Sequence, residues 1–177
     1  MDSKLLDIFK MGHIMVVRKP EPDGYVGNQI EKMQLRKGFC TEKSRYTHVE
    51  VLGGGNYSVR VAPPKTSIIE IDKTYTGRFV TVVKYKGDKY AQKRYKVAFW
   101  ASSNCNLPYD WLGVLRFKFK RLLGRLLDHQ EKAYFCSENT LWALQKEYPN
   151  ALNIQPYECM PAHFLGEQFE VVWEGII

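Results

Sequence analysis

A chain of 177 residues, 45% hydrophobic and 25% charged, is long enough to bury a core and too apolar for intrinsic disorder. Its net charge of +7 favours an acidic partner such as nucleic acid, anionic lipid or a bacterial wall polymer, although a solvated basic surface has the same charge. No apolar run approaches the ~20 residues that span a bilayer, and the start MDSKLLDIFKMGHIMVV has no signal-peptide cleavage site, so we expect a cytoplasmic protein.

The first half of the chain predicts a sheet. Residues 13–19 form a predicted strand, and a polar loop separates it from a short predicted helix around 28–37. Four β-like runs then follow in quick succession: residues 46–52, 57–62, 66–72 and 78–85. Because the turn sequences GGGN and PPK separate the first three runs, we expect an antiparallel meander.

The second half of the chain predicts helices. Residues 90–103 have apolar positions at helical spacing, although the run KVAFW also fits a strand. Residues 111–127 predict an amphipathic helix with one cationic face. The segment 137–145 predicts a further helix, which ends before Pro149.

The chain closes on a predicted strand at 168–175, in which the alternation directs Phe169, Val171 and Trp173 inward. Strands first, helices later and a closing strand indicate an α+β fold, with an antiparallel meander sheet packed on helices. No repeat, low-complexity tract or linker divides the chain. We therefore expect a single domain over residues 1–177.

The four cysteines have no metal-site spacing, since the chain contains neither a C-x-x-C pair nor a Cys/His cluster of the zinc type. They are Cys40, Cys105, Cys136 and Cys159. An even count allows two disulfides, but a chain without a secretory signal favours free thiols in a reducing compartment. We expect no metal and no cofactor.

Cys136 stands at the beginning of a predicted helix. Ser137 and Glu138 follow it as helix-starting residues in the stretch AYFCSENTLWALQ. The exposed N–H groups and the positive end of a helix N-terminus stabilise a thiolate, which is the nucleophilic form of cysteine. A buried cysteine that acts as a small hydrophobic residue fits the same pattern.

A base for this thiol is available in the strand YTHVEVL. His48 shares one face of that strand with Glu50 and Leu52, and an imidazole on a rigid strand is well placed to take a proton from a thiol. A lone strand histidine is more often structural. The other histidines stand at less informative places: His13 at the start of a strand, His129 in a charged stretch, and His163 in a loop after Pro161.

Five motifs in this order resemble the circularly permuted papain-like cysteine hydrolases, which are relatives of the NlpC-type cell-wall amidases and distant kin of lecithin:retinol acyltransferase. The motifs are GHIMVVRK (12–19), YTHVEVLGGGNY (46–57), LPYDWLGVL (107–115), YFCSENTLWAL (134–144) and MPAHFL (160–165). In the permuted enzymes the histidine strand precedes the cysteine helix, and this chain has that order. The resemblance extends over most of the chain.

The resemblance implies a chemistry for two residues. Cys136 is the expected nucleophile and His48 the expected general base and later acid, with the backbone N–H of Cys136 as one donor to the oxyanion. The expected reaction is attack on an amide, ester or thioester carbonyl through an acyl-cysteine intermediate. Water or a second acceptor then releases the acyl group.

The residue that orients the histidine departs from the family pattern. The family places a polar residue about a dozen positions after the histidine, and Arg60 stands near that slot here. A guanidinium has no acceptor for an imidazole N–H. Glu50 is therefore the candidate third catalytic residue, Glu70 is a weaker one, and His13 stands where the family commonly has Asp.

The substrate class stays open between a lipid and a cell-wall peptide. The basic helix predicted at 111–127 could lie on an anionic membrane as a lid, or could pack on the core with a solvated back. Basic residues concentrate at 84–96 and 116–125. The alternative to an enzyme is an inactive binding module that uses this basic surface on nucleic acid or anionic lipid.

Overall fold

The computed structural model describes residues 7–20, 25–110 and 134–177. These residues form an α+β architecture around a six-stranded antiparallel sheet, as the pattern of strands and helices predicts. The strands are β1 (Ile14–Arg18), β2 (Tyr46–Gly54), β3 (Tyr57–Ala62), β4 (Lys65–Glu70), β5 (Phe79–Tyr85) and β6 (Phe169–Ile176). Their order across the sheet is β4-β3-β2-β1-β5-β6.

Five α-helices and two 3-10 helices accompany the sheet in the described parts of the chain. They are α1 (Tyr25–Arg36), α2 (Thr41–Ser44), α3 (Ile71–Tyr75), α4 (Ala91–Ser103), α5 (Cys136–Glu147) and the 3-10 helices Pro156–Glu158 and Pro161–Leu165. Within these described ranges, no helix has the length and apolarity needed to cross a membrane. The helix predicted at 111–127, the basic run 116–125 and His129 lie outside the described residues.

The meander prediction is correct for three strands and wrong for the fourth run. Strands β2, β3 and β4 are joined by consecutive hairpins, and the first turn uses Gly54 and Gly55 at positive φ. The run expected at 66–72 ends earlier, because the helix α3 follows β4 directly. Strand β5 pairs with β1 instead of β4.

The central position of β1 follows from its composition. Ile14 and Val16 join the cluster on the helix face of the sheet, and Met15 and Val17 join the cluster on the other face. A strand that is apolar on both faces is most stable between two neighbours, where both faces are covered. Strand β1 therefore pairs with β2 on one side and β5 on the other.

The inward direction predicted for Val171 is wrong. Its side chain is 53% exposed, whereas Phe169 is buried. The pairing of β5 with β6 shifts register between Val82 and Val83, so Val172 is an extra residue in β6. Val172 and Trp173 pack together against the same core cluster. One extra residue breaks strict alternation, which is the usual effect of a β-bulge.

A buried glutamine connects the helix α1 to the beginning of β2. The Gln34 side-chain amide donates to the carbonyl oxygens of Ser44 and Tyr46, both at 2.9 Å. Its oxygen accepts the N–H of Ala162 at 2.8 Å. Because Tyr46 opens β2, these hydrogen bonds fix the start of the strand that carries His48.

Candidate active site

The thiol of Cys136 lies in the first turn of α5, which begins at Cys136 itself and not at Ser137 as the sequence suggests. The Glu138 carboxylate accepts the N–H of Phe135 at 3.4 Å, which satisfies one of the free donors at the helix N-terminus. Cys136 is 4% exposed. Its sulfur therefore lies beside the amide dipoles of a capped helix.

Hydrogen bonds hold the first turn of α5 in place. The Ser137 hydroxyl donates to the carbonyl of Cys159 at 2.7 Å, and the Thr140 hydroxyl donates to the carbonyl of Cys136 at 2.9 Å. The Asn139 side-chain oxygen accepts from the Asn104 amide at 2.7 Å. The thiol thus stands on a rigid element, which is what a positioned nucleophile requires.

His48 is the third residue of β2 and follows an irregularity in that strand. Strand β1 pairs Val17 with His48 but Arg18 with Tyr46, so Thr47 is an extra residue in β2. Such bulges redirect neighbouring side chains and are common beside active sites. Cys136 lies close enough to the His48 ring to raise its pKa through charge and hydrogen bonding, so the chain brings the two predicted residues together.

Glu50 is the second partner of His48. The His48 Nε2 atom is 2.9 Å from Glu50 Oε1, and the Glu50 side chain has no exposed surface. The Ser58 hydroxyl donates to Oε2 and the Tyr75 hydroxyl donates to Oε1. A buried carboxylate needs hydrogen-bond donors, and Ser58 and Tyr75 supply two of them from β3 and α3.

The interactions of His48 determine its protonation. Burial alone lowers the pKa of an imidazole, but the Cys136 charge, the Cys136 hydrogen bond and the Glu50 carboxylate outweigh burial and raise the pKa of His48 to about 10. His48 is therefore an imidazolium at neutral pH.

His48 connects the two faces of the sheet. Cys136 belongs to the core cluster on the face of α4 and α5. Tyr75, which bonds to Glu50, belongs to the cluster on the opposite face. Because His48 contacts both Cys136 and Glu50, the chain of interactions passes from one cluster to the other at the beginning of β2.

The other candidates from the sequence have structural partners. Arg60 lies with its Nε 3.9 Å from Glu50 Oε1, so it adds positive charge beside the carboxylate. Glu70 forms an ion pair with Lys73 at 2.6 Å, on the surface. Neither residue takes the place next to the imidazole that Glu50 occupies.

His13 has a role that the sequence does not indicate. It is buried, and Arg94 Nη1 donates to its Nε2 at 2.9 Å. Burial and the Arg94 charge lower the pKa of His13 to about 4, so the ring is neutral at pH 7 and acts as an acceptor. His163 accepts the Met160 N–H at 2.9 Å, and burial lowers its pKa as well.

A narrow apolar pocket opens beside the thiol. Its lining comes from α1, from Tyr109, from the start of α5 and from residues 159–161. The lining residues are Ile30, Met33, Tyr109, Phe135, Cys136, Ser137, Cys159, Met160 and Pro161. Most of these side chains are apolar. Tyr109 adds a polar hydroxyl to the lining. Burial and the nearby Cys136 charge raise the pKa of Tyr109, so this hydroxyl keeps its proton.

Part of the basic run at 84–96 is neutralised within the molecule. Lys84 pairs with Glu170 at 3.2 Å, and Arg94 pairs with Asp88 at 2.8 Å. Lys93 lies over the ring of Tyr148, with its Nζ 5.3 Å from the ring centroid. Two cations of this run, Lys84 and Arg94, are therefore paired with acidic side chains of the same chain.

The site residues that sequence reasoning missed are Ser58 and Tyr75. Ser58 sits opposite Leu52 in the β2–β3 pairing, so a correct register would have placed it on the face of Glu50. Tyr75 belongs to α3, which follows an expected strand directly and carries no helix signal of its own.

No protein-family model matches the sequence, and no curated protein matches it either.

Proposed function

We propose that this chain is a thiol hydrolase or acyltransferase with Cys136 as nucleophile, His48 as general acid and base, and Glu50 as the residue that orients His48. The interaction of His48 with both Cys136 and Glu50 carries the proposal. A nucleophile, a base within reach of it and a third group that orients the base form the arrangement needed for covalent acyl transfer. The order of motifs that resembles the permuted papain-like hydrolases supports the same assignment.

The reaction proceeds in two halves. The Cys136 thiolate attacks a carbonyl carbon, and the backbone N–H of Cys136 donates to the oxygen that becomes negative. His48 gives its proton to the leaving amine, alcohol or thiol as the carbonyl re-forms and the acyl-cysteine remains. Water or a second acceptor then loses a proton to His48, attacks the acyl-cysteine and releases the thiolate.

The pocket beside the thiol indicates the kind of acyl group. Ile30, Met33, Phe135 and Met160 surround the space next to Cys136. An apolar lining stabilises an apolar chain and leaves the hydrogen-bond needs of a polar peptide side chain unmet. The pocket holds only about 20 Å³, enough for a small apolar group next to the scissile carbonyl and too little for a long acyl chain.

Alkylation of the thiols tests the proposal. Iodoacetamide should label Cys136 faster than Cys40, although Cys40 is exposed and Cys136 is buried, because the thiolate is the reactive form. His48→Gln should slow the labelling of Cys136 by roughly a hundredfold. Rates are read for each cysteine by peptide mass spectrometry at pH 7.

The matched control is His13→Gln, which removes a histidine that bonds to Arg94 and leaves the His48 contacts intact. It should not change the labelling rate of Cys136. Equal labelling of Cys136 and Cys40, or the same loss of rate in both glutamine variants, would refute the catalytic assignment.

A further inference from the structure

An exposed apolar groove lies between α4 and the β3–β4 hairpin, with side chains that the candidate active site does not use. Its lining includes Met11, Tyr57, Ile68, Tyr95 and Phe99, and it encloses about 430 Å³. Ile68 is 58% exposed and Phe99 is 62% exposed. Exposed apolar side chains grouped around one concavity mark an interaction surface, whereas scattered single ones do not. We call these five residues the aromatic groove.

Positive charge borders the aromatic groove. Lys96 lies three residues before Phe99 on α4, so these two exposed side chains are neighbours on the helix surface, and Tyr95 lies four residues before Phe99 on its other side. A second concavity continues from the groove through Met11 and Tyr95, and Lys10 lies in its wall. Among the described residues, neither Lys10 nor Lys96 forms an ion pair with an acidic side chain.

We infer that the aromatic groove and its lysine border dock on a membrane surface that contains anionic phospholipid. Tyrosine and phenylalanine side chains partition into the interfacial region of a bilayer, and lysines beside them attract anionic headgroups. The whole chain has a net charge of +7, which adds long-range attraction to such a surface. The inference does not depend on the proposed thiol chemistry.

Two other occupants fit the groove less well. Nucleic acid stacks on aromatic rings, but Ile68 and Met11 offer no ring for a base, and they are exposed beside the tyrosines. A second copy of the chain would bring two surfaces of the same positive sign together, since each copy has a net charge of +7. A bilayer surface offers acyl chains to the aliphatic side chains of the groove and anionic headgroups to its lysines.

Co-sedimentation with vesicles tests the inference. The full chain should bind vesicles of mixed phosphatidylglycerol and phosphatidylcholine, bind vesicles of phosphatidylcholine alone much more weakly, and lose binding as salt is raised. Phe99→Ser should weaken binding about tenfold because it removes an inserted ring. Val171→Ser is the matched control, since Val171 is similarly exposed on β6 and outside the groove.

The charge border has its own matched pair. Lys96→Glu and Lys32→Glu lower the net charge equally, but Lys32 lies on α1, away from the groove lining. Lys96→Glu should weaken binding to the mixed vesicles several-fold more than Lys32→Glu. Cys136→Ala should bind the vesicles as the wild type does, which separates this surface from the thiol site.

Several results would overturn the inference. The first is an absence of binding to the mixed vesicles by the folded wild type, and the second is equal loss of binding in Phe99→Ser and Val171→Ser. The third is self-association in size-exclusion chromatography that Phe99→Ser abolishes, which would assign the groove to a second copy. The fourth is oligonucleotide binding that depends on Phe99 in the absence of vesicle binding.

Discussion

Glu50 is the most constrained side chain of the candidate site. It is fully buried, and it receives hydrogen bonds from Ser58 and Tyr75 in addition to His48. Burial and the Glu50 carboxylate raise the pKa of Tyr75, so this hydroxyl keeps its proton and remains a donor. The orienting residue of the site is thus itself held by two donors from separate elements.

The protonation of His48 is open to direct measurement. In the wild type the His48 ring should titrate with a pKa of about 10. Cys136→Ala should lower that pKa more than Glu50→Gln does, because the Cys136 contribution to it is the larger one. Histidine ring carbon shifts in an NMR pH titration report these values.

His13 is the internal reference for that titration, since its pKa of about 4 depends on burial and Arg94 and should be the same in every variant. A His48 ring that titrates near 6.5 in the wild type would contradict the charged pair, because 6.5 is the ordinary value for histidine.

At the residue scale, the sequence predicts the three candidate site residues better than the side chains that support them. The position of Cys136 at a helix start and of His48 and Glu50 on one strand face can be deduced from spacing, and the structure brings all three together. The donors Ser58 and Tyr75 cannot be deduced in this way. They reach Glu50 through strand register and through a short helix, both of which depend on the whole fold.

At the scale of elements, the hairpins are predictable and the bulges are not. Turn signals at Gly54 and Gly55 identify the β2–β3 hairpin, since positive φ at these positions favours glycine. The bulges at Thr47 and Val172 leave no comparable signal in the local sequence. Helix α4 shows the same limit, because its run KVAFW fits two periodicities and only packing against α5 selects the helix.

Substitution of Gln34, which connects α1 to β2, should have a large effect on the free energy of unfolding. Gln34→Leu removes a donor to the carbonyls of Ser44 and Tyr46 and an acceptor for the N–H of Ala162, all in a buried place. Unpaired buried backbone groups are costly, so the free energy of unfolding should fall by about 3 kcal/mol. Urea denaturation measures this change.

Gln155→Leu is the matched control, because Gln155 is exposed and precedes the first 3-10 helix. It should change the free energy of unfolding by less than about 0.5 kcal/mol. A Gln34→Leu protein as stable as this control would show that the three hydrogen bonds contribute little to the connection.

At the scale of the whole molecule, the sheet separates two cores, and the strand order depends on both. The apolar run of β1 requires cover on both faces, and this need places β1 between β2 and β5. Chain order alone would favour a meander in which β5 pairs with β4. Burial of both faces of β1 depends on the assembled molecule, so local turn signals cannot reveal it.

The pKa shifts of His13 and His48 predict how stability depends on pH. The folded pKa of His13 lies below 6.5, so its contribution to the free energy of unfolding is present above that pH and is lost as the pH falls towards about 4. The folded pKa of His48 lies above 6.5, so its contribution is present below pH 6.5 and is lost as the pH rises towards about 10. Stability should therefore be highest near pH 6.5.

Urea denaturation across this pH range gives the measurement. His13→Gln should flatten the acid side of the curve and leave the alkaline side in place, because only His13 is removed. An acid side that is equally steep in wild type and variant would assign the acid loss of stability to other groups.

The position of the thiol late in the chain has a consequence during synthesis. His48, Glu50, Ser58 and Tyr75 all lie in the continuous section from β2 to α3, and Cys136 comes only after β5 and α4. A growing polypeptide on the ribosome therefore contains the entire imidazole–carboxylate half before the sulfur is added. Any prematurely terminated product that ends before Cys136 lacks the proposed nucleophile, so translation must pass that codon before the proposed site can be complete.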